Sequence, residues 1–333
     1  MRAYIWAAST LAVCLGIILS FPAAAQTDYK LVKTIDLLGD KGGHGDWTTF
    51  DAATQTVWLS QSPDHNVVVI DANSMTIKGV IPGIEDGNGI AITSADAFLS
   101  DNKGDVTVVV DKRTLKKVAT LKPIGKGPNG TVYDPKAGVV FVTTDSDDAN
   151  VFSAKPPFKM VAHFRLQPDP AKDGPDVGLY VRSKDRLYQS VDNVVDVINP
   201  NNDKVLEVWK PGIQGSGKPI VYDHKTNHFI LGTTDKKMLV LDGNTGSVVA
   251  EIAVQGAVDE TVIDERARRA YVGDKAGVIE VIDLDQNKIV DRLPSEKNVH
   301  TLAVDTKTHA VFVYRNESNK VDVFAFTKKT SKS

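Results

Sequence analysis

Residues 219–254 read PIVYDHKTNHFILGTTDKKMLVLDGNTGSVVAEIAV, a stretch in which short apolar runs alternate with polar loops. The loops are rich in Asp, Asn, Thr and Gly, and the apolar runs are four: Pro219–Tyr222, Phe229–Gly232, Met238–Leu241 and Val248–Val254. Short runs of Val, Ile and Leu between turn-forming residues are typical of antiparallel hairpins. This part of the sequence therefore predicts one small sheet of four antiparallel strands.

A unit of this kind recurs seven times along the chain. Its most regular part is the run Met238–Asp242, which has six counterparts: Val67–Asp71, Val106–Asp111, Val151–Ala154, Val194–Asn199, Val278–Asp283 and Val321–Ala325. The last residues of consecutive runs lie 40, 43, 45, 43, 41 and 42 positions apart. A period near forty with several strands per unit is typical of β-propeller blades. The sequence thus predicts an all-β, seven-bladed β-propeller with four-stranded antiparallel blades.

A strand before the first unit supplies the fourth strand that the last unit lacks. The seventh unit supplies only three strands before the polar tail 327–333, whereas Tyr29–Leu37 reads as a strand without a blade of its own. Pairing this strand beside Lys320–Phe326 would complete the last blade and leave no open edge in the ring. We therefore expect residues 28–326 to form a single propeller domain, closed by the N-terminal strand of the mature chain.

The first 25 residues have the pattern of a secretory signal peptide. Arg2 precedes the apolar run Tyr4–Phe21, and three alanines ending at Ala25 offer a small-residue cleavage site. No stretch of the mature chain is long and apolar enough to span a membrane. The single cysteine, Cys14, lies within this leader. We expect an exported protein, periplasmic or secreted, without disulfides or thiol chemistry.

Aligning the seven units places one polar residue per blade where the innermost strand begins. These residues are spaced 42, 41, 47, 42, 41 and 41 positions apart: Asp46, Asn88, Asn129, Asp176, Lys218, Asp259 and His300. We expect them to form a ligand-binding ring around the top mouth of the central channel. Alternatively, Asp and Asn at such positions only bond nearby backbone amides and stabilise turns.

A divalent metal ion (Ca, Mg, Mn or Zn) is one candidate ligand of this ring. Carboxylate and amide oxygens suit the harder cations, and imidazole together with carboxylate suits zinc. Because blades one and seven are neighbours in a closed ring, one subset combines two imidazoles with carboxylates: His44, Asp46, Asp259, Glu260 and His300. Lys218 is the only fixed positive charge in the ring.

The loops of the two propeller faces differ in charge. Acidic residues, among them Asp101, Asp145 and Asp274, concentrate in the loops between second and third strands, on the same top face as the ring. Basic residues, among them Lys112 and Arg268, concentrate on the opposite face. This division reflects either ordinary turn chemistry or an acidic top suited to cations. With a formal net charge of −3, the chain is not expected to bind nucleic acid.

Three segments share a pattern at matching blade positions: Val139–Thr144, Ala270–Asp274 and Val311–Asn316. Together with Gly127–Pro135, which leads into a first strand, they resemble the repeats of the YVTN-repeat, YncE-like propellers of exported bacterial proteins. The resemblance covers residues 28–326. It implies a seven-bladed fold and an export route, and only loosely an activity.

No familiar catalytic motif is present: the chain lacks a Gly-x-Ser-x-Gly elbow, a phosphate loop and a His-Glu-x-x-His pair. The leading hypothesis is therefore a monomeric binding or scaffold protein, without catalytic residues, that takes a small molecule or a protein on its top face. The first alternative is a metal-dependent lactone or ester hydrolase resembling the gluconolactonase propellers, with Asn88, Asn129 and Asp176 or Asp259 as metal ligands. The second is an accessory protein to a periplasmic redox enzyme or transporter.

Overall fold

The computed structural model describes residues 28–39, 43, 45–168, 171–299 and 301–327. The predicted signal peptide, residues 1–25, lies outside the described residues, as does the tail beyond Thr327. Within the described ranges the chain forms seven four-stranded antiparallel sheets. The first strand of each sheet contacts the first strand of the next, and that of the last sheet contacts that of the first. The prediction of a seven-bladed β-propeller is confirmed.

The strands of each blade follow one another in sequence from the channel outward. Blade 1 comprises β2 (Thr48–Asp51), β3 (Thr56–Gln61), β4 (Asn66–Asp71) and β5 (Thr76–Pro82). Blade 2 comprises β6 (Gly87–Ile92), β7 (Asp96–Asp101), β8 (Val106–Asp111) and β9 (Lys116–Leu121). Blade 3 comprises β10 (Pro128–Asp134), β11 (Val139–Thr144), β12 (Asp148–Ser153) and β13 (Met160–Arg165).

The next three blades repeat this order. Blade 4 comprises β14 (Leu179–Val181), β15 (Arg186–Val191), β16 (Val194–Asn199) and β17 (Lys204–Trp209). Blade 5 comprises β18 (Gly217–Asp223), β19 (His228–Thr233), β20 (Lys237–Asp242) and β21 (Val248–Ala253). Blade 6 comprises β22 (Val258–Asp264), β23 (Arg269–Asp274), β24 (Val278–Asp283) and β25 (Lys288–Pro294).

Blade 7 is completed by the N-terminal strand. It comprises β26 (Leu302–Asp305), β27 (Ala310–Arg315), β28 (Lys320–Phe326) and, outermost, β1 (Tyr29–Asp36). β1 runs antiparallel to β28, with Tyr29 opposite Phe326 and Asp36 opposite Lys320. The hydroxyls of Tyr29 and Tyr271 lie 3.0 Å apart and join the closing strand to blade 6. The predicted closure is thereby confirmed.

The core lies between neighbouring blades. One cluster joins Ile35 and Phe312 of blade 7 to Leu59 and Val68 of blade 1, and the other clusters repeat this arrangement around the ring. The third strand of each blade is covered on both faces, which is why its sequence is largely apolar rather than alternating. This continuous pattern is what makes the repeat visible in the sequence.

Blade 3 departs from the predicted strand bounds. The run predicted to begin at Val151 begins at Asp148, because Asp148–Asn150 pair with β13 although two of the three are polar. Asn150 is fully buried, and its side chain bonds the backbone of Ile124 in the segment leading to β10: Oδ1 accepts from the Ile124 amide at 2.8 Å. A polar residue with a structural partner interrupts the apolar run without ending the strand.

In two other blades, a buried polar side chain of the third strand also bonds the backbone of the segment that leads into the blade. Asp196, at the equivalent position of β16, accepts a hydrogen bond from the Gln167 amide at 2.7 Å. Glu280, in β24, accepts one from the Gln255 amide at 3.2 Å. Because these side chains are buried, each bond gives a buried carboxyl oxygen a partner. The polar residues of the third strands therefore fix how the chain approaches the channel.

The burial of Asp196 makes a pH-dependent contribution to stability. Burial raises the pKa of this carboxyl to about 7, against the hydrogen bond from Gln167. The unfolded chain releases the proton near pH ~4, so this contribution is complete below that pH and is lost as the pH rises to about 7. Asp196→Asn should consequently destabilise the protein less at pH 8 than at pH 4, as measured by urea unfolding. An equal loss at both pH values would contradict the argument.

Candidate functional site

Six of the seven predicted ring residues line one cavity of about 230 Å³ at the top mouth of the channel: Asp46, Asn88, Asn129, Asp176, Lys218 and Asp259. The structure brings them together because each stands just before the innermost strand of its blade or at the second residue of that strand. The seventh, His300, lies outside the described residues. The ring is therefore a real cluster of side chains, and its ligand-binding role remains a prediction.

One side of the ring carries an internal cation. Lys218 Nζ lies 3.0 Å from Asp176 Oδ2 and 3.1 Å from Asp259 Oδ1, so blade 5 bridges blades 4 and 6. The charge of Asp176, together with that of Asp259, raises the pKa of Lys218 against the effect of burial. Asp259 is also approached by the more exposed Lys275, at 3.3 Å. The lysine thus holds the two carboxylates that a metal in this position would require.

Asp46 titrates near neutral pH. Burial is the main reason that its pKa is raised to about 7, and the negative charges of Asp259 and Asp176 act in the same direction, whereas Lys218 opposes them. The mouth therefore gains negative charge as the pH rises through neutrality. A carboxyl with a strongly raised pKa in a cavity is a common property of functional sites.

The mouth is also lined by three polar residues that were not in the aligned ring: Asp86, Asn102 and Asp145. Asp145 accepts hydrogen bonds from Asn102 Nδ2 at 2.8 Å and from Asn129 Nδ2 at 3.1 Å. Asn102 and Asp145 directly follow the second strands of blades 2 and 3, in loops that share the top face. The acidic character of those loops was a signal for Asp145, whereas nothing in the repeat pattern marked Asp86 or Asn102.

The predicted metal set lies only partly within the described residues and stays a prediction. At the start of β22, where the pairing with β23 shifts in register, Glu260 and its neighbour Asp259 have different partners. Glu260 Oε2 instead accepts hydrogen bonds from Thr301 Oγ1 at 2.6 Å and from the Leu302 amide at 2.8 Å. His44 and His300 lie outside the described residues. Over the described ranges, no group of three or more His, Cys, Asp or Glu side chains is arranged to hold a metal ion.

The charged loops of the two faces serve the structure. On the top face, Asp101 accepts from the Asp86 amide and Asp274 from the Gly256 amide, at 3.0 and 2.8 Å. On the opposite face, the Arg268 guanidinium binds both oxygens of the Asp223 carboxylate, and Lys112 pairs with Asp51 at 2.9 Å. These contacts link chain segments or neighbouring blades. What distinguishes the mouth is that carboxylates from several blades line one cavity.

Along the described residues, no helix is long and apolar enough to cross a membrane. The fold and the converging side chains define a seven-bladed β-propeller with a polar channel mouth. No protein-family model matches the chain. Its sequence is 22% identical over 288 residues to the uncharacterized protein YncE of Salmonella typhimurium. The aligned region covers 82% of this chain and 69% of that protein.

Among solved structures, the protein resembles a chain of Kuenenia stuttgartiensis hydrazine synthase. The TM-score is 0.76 at 14% sequence identity, and the match covers 86% of this chain and 96% of that chain. At this identity the likeness shows the fold alone. The similarity to YncE and the seven-bladed fold together support the resemblance to YncE-like β-propellers that the repeats predict.

Proposed function

We propose that the protein is an exported binding propeller that holds a small, positively charged ligand at its top mouth. The observation that carries the proposal is the composition of the mouth, where five carboxylates and three amides face one lysine across about 230 Å³. The carboxylates are Asp46, Asp86, Asp145, Asp176 and Asp259. A concave site lined by one sign of charge concentrates ligands of the opposite sign.

The mouth is suited to binding rather than to a known kind of catalysis. Its polar groups, among the described residues, are carboxylates, amides and an ammonium, and these include no nucleophile with an adjacent base. A metal-dependent hydrolase would need Asp176 or Asp259 as a metal ligand, and both already bind Lys218. Metal binding would therefore compete with an ammonium at the same oxygens. An organic cation can instead use Asp145, whose carboxylate is bonded by the neutral amides of Asn102 and Asn129.

The test is calorimetric titration of the purified protein with spermidine, citrate, sucrose, Ca²⁺ and Zn²⁺. We expect spermidine to bind and citrate and sucrose not to bind, and we expect the affinity to fall as salt is added. Binding of Ca²⁺ or Zn²⁺ more tightly than spermidine, with hydrolysis of a lactone, would favour the hydrolase instead. Binding of citrate alone would contradict the proposal.

A pair of matched variants locates the binding. Asp145→Asn keeps the shape of a mouth side chain and removes its charge, so it should weaken spermidine binding roughly tenfold, the value of one charged hydrogen bond. Glu251→Gln removes a charge from the outer strand of blade 5, where Glu251 pairs with the exposed Lys237. It should leave the affinity unchanged. Equal effects of the two variants would place binding elsewhere.

A further inference from the structure

A second cavity of about 340 Å³ lies along the channel below the mouth. The inner strands of five blades form its wall, which is largely apolar and includes Phe50, Ile220, Val262 and Val304. Trp47 and Val177 line both this cavity and the mouth. The two spaces therefore adjoin, with charged groups above and apolar groups below.

Glu260 is a carboxyl in the wall of the lower cavity. Its side chain is buried, with 1% of the residue exposed. Oε2 accepts from Thr301 and Leu302, and the Thr48 backbone amide also interacts with this carboxyl. Atom Oε1 itself has no well-formed hydrogen bond among the residues that the structure describes. A buried polar atom without a partner costs about 1–3 kcal/mol, and most such atoms in proteins are satisfied. A donor placed in the channel would satisfy this one.

We propose that the mouth and the channel form one site for a primary amine carried on an apolar body. The ammonium lies where the two cavities meet and donates to Glu260 and to the mouth carboxylates, and the apolar body fills the channel below. Trp47, at the same junction, offers an aromatic ring to the cation. This inference rests on the proposed function of the mouth and names the class of ligand.

The charges and the walls favour this class over others. A polyamine would meet the negative charge of the mouth but leave the apolar channel empty, and a neutral apolar molecule would fill the channel without using that charge. An amphipathic amine matches both regions at once. Since Lys218 already pairs with Asp176 and Asp259, the ligand ammonium donates to Glu260 and is attracted by the net negative charge of the mouth.

The experiment is calorimetric titration of the purified protein with butylamine, pentylamine, hexylamine and hexanol. Each added methylene should tighten binding of the amine about fourfold, as expected for burial of one CH₂ group. Hexanol, of the same length but uncharged, should bind at least tenfold more weakly than hexylamine. Val262→Phe, which narrows the channel, should abolish the gain with chain length.

Glu260→Gln should weaken hexylamine binding roughly tenfold and leave hexanol binding unchanged, since it replaces the acceptor by an amide of the same size. Asp196→Asn is the matched control. Asp196 is also a buried acid with one unpartnered oxygen among the described residues, but it lies in blade 4 away from the channel wall. It should leave both affinities unchanged.

The outcomes separate the two proposals. Binding of spermidine with no dependence on amine chain length would overturn the channel site and leave the mouth as a cation site. Failure of spermidine and of every amine to bind would overturn both. Equal weakening of hexylamine binding by Glu260→Gln and Asp196→Asn would show that Glu260 is not part of the site. If the Glu260→Gln variant does not fold, the titration of Val262→Phe with the amine series tests on its own whether the ligand enters the channel.

Discussion

Deleting residues 26–37 is expected to unfold the protein or to lower its melting temperature far more than deleting residues 328–333. The first deletion removes β1, the outer strand of blade 7, which pairs with β28 and so joins the two ends of the described chain within one blade. It removes the buried side chains of Tyr29, Ile35 and Leu37 from the core. It also leaves β28 as an open edge, which favours aggregation.

The magnitude follows from the buried side chains. Burial of one large apolar side chain contributes about 1.5–3 kcal/mol, so loss of three approaches the 5–15 kcal/mol by which a typical domain is stable. A finer comparison uses Tyr29→Ala, which loses the contact with Tyr271, and Lys30→Ala, whose side chain is exposed. Thermal melting should separate the two variants clearly. Equal melting temperatures of the two deletions would refute the closure argument.

The architecture could be predicted from the sequence because the third strand of each blade is buried on both faces. Its largely apolar runs, such as Val67–Asp71, repeat at a regular spacing and count the blades directly. Closure followed from counting strands, since Tyr29–Leu37 had no blade and blade 7 lacked one strand. Both features, the repeated apolar strands and the unmatched strand at one end, are patterns along the chain, so they can be read from the sequence without knowledge of tertiary contacts.

The site could be predicted only in part. Spacing correctly grouped Asp46 with Asp176 and Asp259, because equivalent positions of a repeat come together around a symmetry axis. It did not show that Glu260 faces a neighbouring blade, since that depends on the twist and bulge at the start of β22. Nor did it mark Asn102 as part of the mouth, because the path of an irregular segment is set by tertiary contacts.

The role of Lys218 was likewise missing from the sequence. In the sequence, a lysine among carboxylates only argues against cation binding, because its positive charge would repel the cation. In the structure, Lys218 forms ion pairs with Asp176 and Asp259. Its distance from each carboxylate depends on three blades meeting at the correct angle. Such a contact between residues 41 or more positions apart has no local signature.

Lys218→Met should change stability and ligand affinity in opposite directions. Removing the ammonium leaves two carboxylates close together without their cation, and breaking a buried pair costs about 3–5 kcal/mol. Because the side chains of Lys218 and Asp176 are still 23% and 21% exposed, we expect a smaller loss, about 2 kcal/mol in urea unfolding. Lys275→Met, which removes a more exposed partner of Asp259, should cost about 0.5 kcal/mol or less.

The same substitution should tighten spermidine binding about tenfold, because it removes a positive charge that repels the ligand and frees two carboxylates to accept it. Calorimetric titration of the Lys218→Met and Lys275→Met variants beside the unchanged protein measures this gain. If Lys218→Met lowers stability while no cation binds to either protein, the ring serves only to join blades 4, 5 and 6. A loss of stability together with a gain of affinity would show that Lys218 occupies, within the fold, the position that the mouth offers to a bound cation.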